Sequence, residues 1–262
     1  MVDTSPQGGN VTRRAFVAGT LAVAAAACST TSDKGAAAVS TTANARSGSA
    51  PSAPAPAGPA GFVSHGPRTR DEVALTFHLS GDRGLVGQLI SLLTTHQVVA
   101  TVFVVGSWLE AHPDVAGLLQ QQGHELANHT YTHPTFHTLS PTGMADEVTK
   151  CRDVLERLAG TTGTFFRPSG TSNGVDSPGP AALTAAGDAG YATVVGFDVD
   201  PGDYADPGRD VVVQRTVATV GPGSIVSLHF GHQGTIDALP EILTTLRGRG
   251  LKTVSTSTLL RA

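Results

Sequence analysis

The chain has 262 residues, 17 of them Lys or Arg and 21 Asp or Glu, for a formal charge of −4. That balance excludes a protein that grips nucleic acid through a global basic field, and two cysteines exclude a disulfide framework. With 5% aromatic residues the core must be aliphatic, and the length suffices for one sizeable core.

The first segment does not belong to that core. Arg13 and Arg14 precede Ala15–Ala27, thirteen residues without a charge, and Cys28 follows. Spanning a bilayer takes about 20 apolar residues, so the run reads as an export signal rather than a membrane helix. Thr12-Arg13-Arg14-Ala15-Phe16-Val17 resembles a twin-arginine signal, and Ala25-Ala26-Ala27-Cys28 resembles a bacterial lipobox. On that resemblance residues 1–28 are a lipoprotein signal and Cys28 becomes the lipidated N-terminus. The membrane is then a partner through the lipid anchor alone, at the outer face of the cytoplasmic membrane. From 29 to 60, 27 of 32 residues are Ala, Ser, Thr, Pro or Gly, a tether that cannot bury enough surface to offset the entropy of ordering. Residues 61–262 remain as the folded domain.

Within it, short apolar runs alternate with helical periodicity. Strands are predicted at Val73–Phe77, Ala100–Val105, Glu125–Ala127, Thr164–Phe166, Ala192–Phe197, Ser224–Leu228 and Lys252–Val254. Helices are predicted at Leu85–His96, Pro113–Gln122, Pro141–Leu158, Ala181–Ala189, Asp210–Val220 and Ile236–Arg249. Ser140 is a natural N-cap for the longest helix, with Pro141 in its first turn and Gly160 just past its end. Strands alternating with helices predict an α/β fold with a parallel sheet; periodicity leaves open whether that sheet is open or closed.

Polar residues collect just after the strands. His78 and Asp82 follow the first, Asn128, His129 and His133 the third, and Arg167-Pro168-Ser169-Gly170 the fourth. Asp198, Asp200 and Asp203 follow the fifth, and His229 and His232 the sixth. In parallel α/β folds the C-terminal strand ends face the active site, so this distribution points to one site. His129 and His133 are four apart, and on one helical turn both imidazoles would face the same way and could share a divalent metal. A Lewis-acid role needs a third protein ligand, for which His78 and Asp82 are the candidates.

At these residues the sequence resembles a known family. Gly123-His124-Glu125-Leu126-Ala127-Asn128-His129-Thr130-Tyr131-Thr132-His133 is similar to the metal-binding motif of the polysaccharide deacetylases, the NodB-homology family or carbohydrate esterase family four. Ala100–Gly106, Phe166–Gly170, Asp200-Pro201-Gly202-Asp203-Tyr204 and Ile225–His229 resemble further family motifs, in the family's order, over roughly residues 70–260. The resemblance implies a distorted (β/α) barrel of about seven parallel strands and a divalent metal, usually zinc. It also implies a hydrolase acting on carbon–nitrogen bonds other than peptide bonds, which removes N-acetyl groups from an acetylated polysaccharide such as peptidoglycan or chitin. Carried over, His129 and His133 match the metal histidines and His229 the general acid. Asp203 matches the carboxylate that orients that acid, Arg167 the residue that holds the catalytic base, and Tyr204 an aromatic wall of the acetyl pocket. Pro168, Ser169 and Gly170 fall in the substrate-binding motif.

The first motif departs from the pattern. The family expects Thr-Phe-Asp-Asp-Gly, with the first Asp as base and the second as metal ligand, whereas this chain reads Thr76-Phe77-His78-Leu79-Ser80-Gly81-Asp82. Either His78 is the base and Asp82 loops back to the metal, or His78 joins His129 and His133 on the metal and Asp82 is the base. Arg167 favours the second, because a cationic imidazole beside it would be repelled. The rival from another class is a non-catalytic glycan- or metal-binding lipoprotein, for which Leu79 speaks; an O-acetyl esterase is the alternative within the family. His124 is expected to be a packed structural residue, Cys151 a buried thiol, and His137 and His232 residues of the site's rim.

Overall fold

The computed structural model describes residues 58–261 apart from Ser172. The signal, Cys28 and residues 29–57 of the tether lie outside the described residues. The elements in chain order are β1 (Gly61–Val63), β2 (Glu72–Leu79), α1 (Arg83–Thr95), β3 (Thr101–Val104), α2 (Gly106–Ala111), α3 (Asp114–Gln121) and β4 (Glu125–Asn128). They continue with α4 (Pro141–Ala159), α5 (Pro180–Asp188), β5 (Thr193–Val195), α6 (Arg209–Thr219), β6 (Ile225–His229), α7 (Gln233–Gly248), β7 (Lys252–Val254) and α8 (Thr256–Leu260). All strand pairs are parallel: β4–β3–β2–β6 run side by side, β7 pairs with the start of β2, and β1 pairs with β5. Isolated parallel bridges link Asn128 to Phe166, Phe166 to Val194 and Val199 to Val226. The fold is α/β with parallel strands, as the alternation of elements predicts.

Local chemistry explains most of the elements. Ser140 caps α4 by accepting from the Gly143 N–H, Pro141 occupies its first turn, and Gly160 ends it at φ 66°. The predicted strand at 164–166 shrinks to the single bridged residue Phe166, because Gly163 at φ 83° and Pro168 crowd it from both sides. The sequence reading missed β1, whose three residues follow a Pro-rich stretch and gain order by pairing Gly61–Val63 with Thr193–Val195. The tether also ends earlier than its composition suggests. Ala60 is buried, and its N–H donates to the Leu183 carbonyl at 2.9 Å.

Strand β2 decides what reaches the site. Its side chains alternate: Val73, Leu75, Phe77 and Leu79 belong to the large apolar cluster that includes α1 and α7 residues, whereas Ala74 belongs to a separate cluster with Phe103, Val195 and Phe197. Thr76 and His78 fall on the Ala74 face by the same period, and both are buried. Leu79 is therefore a core residue on the face opposite His78.

Candidate active site

The strand ends and the loops after them line a cavity of about 380 Å³. His78, His129, His133, Gly170, Asp200, Tyr204 and His229 all contribute to its wall, as does His232. Arg167 lies beneath, fully buried. Its Nε donates to the Val195 carbonyl (2.9 Å), one terminal nitrogen to the Gly196 carbonyl (2.8 Å), and the other to Thr76 Oγ1 (2.9 Å) and His78 Nε2 (3.0 Å). The guanidinium carbon sits 3.9 Å from the centroid of the Phe103 ring. Burial pushes Arg167 down to about 9, which leaves it charged at neutral pH.

Proton positions around His78 follow from that contact. A guanidinium can only donate, so His78 Nε2 accepts and the neutral ring carries its hydrogen on Nδ1. Burial, reinforced by His129, His229 and Arg167, holds His78 well below the usual imidazole range and keeps it neutral. Its Nδ1–H meets His229 Nε2 at 2.8 Å. His229 in turn donates Nδ1–H to Asp203 Oδ1 (2.7 Å), and its backbone N–H donates to Oδ2 (2.8 Å). The Thr235 hydroxyl also donates to Asp203 Oδ2, at 2.7 Å. One directed chain thus runs from Arg167 through His78 and His229 to a buried, fully bonded carboxylate.

The second arm comes from the end of β4. His129 donates Nδ1–H to the Arg167 carbonyl at 2.9 Å, which leaves a lone pair on Nε2. That Nε2 is buried and has no partner. His133 reaches the cavity differently from the expectation: residues 129–133 are not a helical turn but an irregular loop, with Thr130 at φ 70° and His133 at φ 60°. Glu147 of α4 holds this loop, its carboxylate accepting from the Tyr131 and Thr132 N–H groups (2.8 Å each) and the Thr132 hydroxyl (2.7 Å). Nothing in the H-x-x-x-H spacing announces Glu147, which lies sixteen positions beyond Tyr131.

Asp82 and His78, the base and third metal ligand expected from the sequence, are both hydrogen-bonded to other partners in this structure. Asp82 does not reach the cavity: it is exposed and caps α1, Oδ1 accepting from the Leu85 N–H at 2.9 Å. That cap satisfies one of the free N–H groups at the start of the helix. Both ring nitrogens of His78 are engaged, Nδ1 with His229 and Nε2 with Arg167. Its ring also stacks on His129, with centroids 4.1 Å apart at 25°, and in-plane lone pairs of stacked rings do not converge on one ion. The repulsion foreseen between Arg167 and an imidazole is avoided because the imidazole is neutral. Among the described residues no three His, Cys, Asp or Glu side chains are grouped to hold a metal ion. The metal that the resemblance implies therefore fits in part: His129 Nε2 is an orphaned donor of the right kind and His133 shares the cavity with it, but among the described residues no third protein ligand is grouped with them.

Gly170 and Tyr204 line the cavity, the Tyr204 ring lying 5.3 Å from that of His229. Ser169 is buried and structural, donating to the Pro134 carbonyl at 2.6 Å and accepting from the Thr130 hydroxyl at 3.0 Å. Pro168 lines a smaller neighbouring pocket with Phe62 and Asn173. His124 is packed away from the cavity, accepting from the Ala100 N–H at 3.2 Å, and Cys151 is buried, its thiol pushed up to about 12. Asp200, unassigned in the sequence reading, is the carboxylate of the cavity wall, and burial raises its pKa. Its place in Asp200-Pro201-Gly202-Asp203-Tyr204 was the available signal.

Known proteins resemble this chain in sequence and in fold. The polysaccharide deacetylase family model matches residues 65–194. A peptidoglycan-N-acetylglucosamine deacetylase of Bacillus cereus is 30% identical over 208 residues, covering 78% of this chain and 95% of that protein. A chitooligosaccharide deacetylase of Sinorhizobium fredii is 33% identical over 195 residues, covering 68% of this chain and 86% of that one. Among solved structures, a CE4 family pseudoenzyme from Bacillus anthracis superposes with a TM-score of 0.69 at 27% identity, covering 76% of this chain and 69% of that one.

Proposed function

The chain belongs to the polysaccharide deacetylase family, and we propose that its cleft removes acetyl groups from an N-acetylated cell-wall glycan of the peptidoglycan or chitin class. The carrying observation is the array of His229, Asp203 and Thr235, in which a buried and fully bonded carboxylate orients an imidazole at the cavity wall. With Nδ1–H committed to Asp203 and His78 Nδ1–H directed at the other nitrogen, Nε2 is the acceptor of the His229 ring. A histidine in that state takes a proton from the attacking water and returns it to the leaving nitrogen. The carbon–oxygen bond forms, the carbon–nitrogen bond breaks, and acetate leaves a free amine on the glycan. Arg167 and Asp203 keep the histidines in register, while Tyr204 and Gly170 wall the place of the sugar. A divalent metal, zinc by the preference of imidazole nitrogen, would be held by His129 and His133 and would polarise the acetyl carbonyl. The leader and Cys28 support a lipid-anchored position outside the cytoplasmic membrane, where peptidoglycan is the nearest acetylated polymer.

A second reading, a glycan-binding domain without turnover, is favoured by Asp82 being spent on a helix cap and His78 having both nitrogens engaged. Metal content of the purified full chain and acetate release from N-acetylated oligosaccharides separate the two. The hydrolase reading expects acetate release that a chelator abolishes and zinc restores. Glycan binding without acetate from either amides or O-acetyl esters would establish the second.

A further inference from the structure

A histidine between a guanidinium and a second histidine has no choice of tautomer. Arg167 fills the lone pair of His78 Nε2 at 3.0 Å, so the ring must present Nδ1–H to His229 Nε2 at 2.8 Å. His229 is equally constrained on its far side, where Asp203 requires Nδ1–H at 2.7 Å. The ring of His78 is further fixed by its stack on His129 and by the perpendicular approach to His229, whose centroid is 4.4 Å away at 88°. From this we propose that His78 is a positioning residue that sets the polarity of the His229 hydrogen bond: it holds the cavity-side nitrogen of His229 as an acceptor and closes it to water and substrate until the His78–His229 bond opens.

The side chain at position 78 thereby decides what His229 can do. A carboxylate there would have only acceptors to offer, and a hydrogen bond to it would require a proton on His229 Nε2, the state that can be handed to a leaving amine. A histidine or an asparagine there can satisfy Arg167 with an acceptor while donating to His229, which keeps Nε2 bare. Asn and Asp have the same size, so exchanging one for the other alters the polarity and nothing steric. The geometry stands by itself; its consequence for catalysis rests on the reading of His229 as the proton-transfer group.

The test is ¹⁵N imidazole NMR on the full chain at one fixed pH, with no metal added. Wild type is expected to show a through-hydrogen-bond nitrogen–nitrogen coupling between His78 Nδ1 and His229 Nε2, with the proton on His78. In His78→Asn, His229 Nε2 stays unprotonated; in His78→Asp it shifts to the protonated position. Loss of the wild-type coupling, a proton found on His229 Nε2 in wild type, or the same His229 state in both variants overturns the proposal. A shift of the His78 nitrogens to metal-bound values when zinc is added to wild type overturns it as well. If either variant fails to fold, the wild-type coupling decides. Absence of acetate release from all three proteins with the NMR pattern intact upholds the polarity and counts against the hydrolase reading alone.

Discussion

Asp203 illustrates how much one residue's surroundings set its chemistry. It accepts three hydrogen bonds inside the fold, from the His229 ring, the His229 backbone and Thr235. Asp203→Asn would replace one acceptor oxygen with a donor facing an N–H, and the imidazole would lose its orientation. Acetate release is expected to fall by about 10²- to 10⁴-fold with glycan binding retained, measured as kcat against KM. Thr235→Val should cost about 1–3 kcal/mol in urea unfolding, because it leaves a buried carboxylate lone pair unpaired. Sequence showed Asp203 and His229 through their motifs. Thr235 was invisible, since its hydroxyl meets Asp203 across 32 positions of chain.

At the scale of elements, the loop after β4 carries both candidate metal histidines and depends on a helix that is remote in sequence. Two of its five residues sit at positive φ, which costs energy unless the surroundings enforce it. Glu147 supplies that enforcement with three accepted hydrogen bonds. Glu147→Ala is expected to lower zinc affinity by about 10- to 100-fold in a competition titration, with α4 itself intact by circular dichroism. Position 223 tests the turn before β6 in the same way. Gly223 has φ 76°, and a Cβ there would come within 2.6 Å of the Pro67 carbonyl oxygen. Gly223→Ala should therefore lower Tm, since neither the backbone angle nor the contact can relax cheaply. Gly221-Pro222-Gly223 favours a turn by composition, but that spacing does not show that the Gly66–Pro67 backbone leaves no room for a side chain at 223.

For the molecule as a whole, two buried neutral histidines tie stability to pH. Burial comes first among the causes that hold His78 and His129 well below their ordinary range. Below about pH 6.5 the unfolded chain binds protons that the folded one refuses, so stability is full above that pH and is lost as pH falls through it. Metal-free protein should lose up to about 1.4 kcal/mol per pH unit for each of the two groups between about pH 6 and 5, read as a falling urea midpoint. His78→Asn should flatten that slope. A midpoint unchanged from pH 7 to 5 would mean that these rings are not held neutral by burial.

The sequence by itself determined the α/β class, the long capped helix, the cluster of polar residues at the strand ends and the family. Each of these is written in local patterns: hydrophobic period, capping residues and short motifs. Only the tertiary structure decided what Asp82 and His78 are free to do, because each choice turns on a neighbour brought in by the fold. Asp82 is claimed by the N-terminus of α1. His78 faces the cavity because β2 alternates, while Leu79 beside it is turned into the core. Arg167 arrives 89 residues further along and fixes which nitrogen of His78 carries the proton. A hydrogen bond's direction depends on every partner in the chain of contacts, and no spacing of residues along a sequence encodes that.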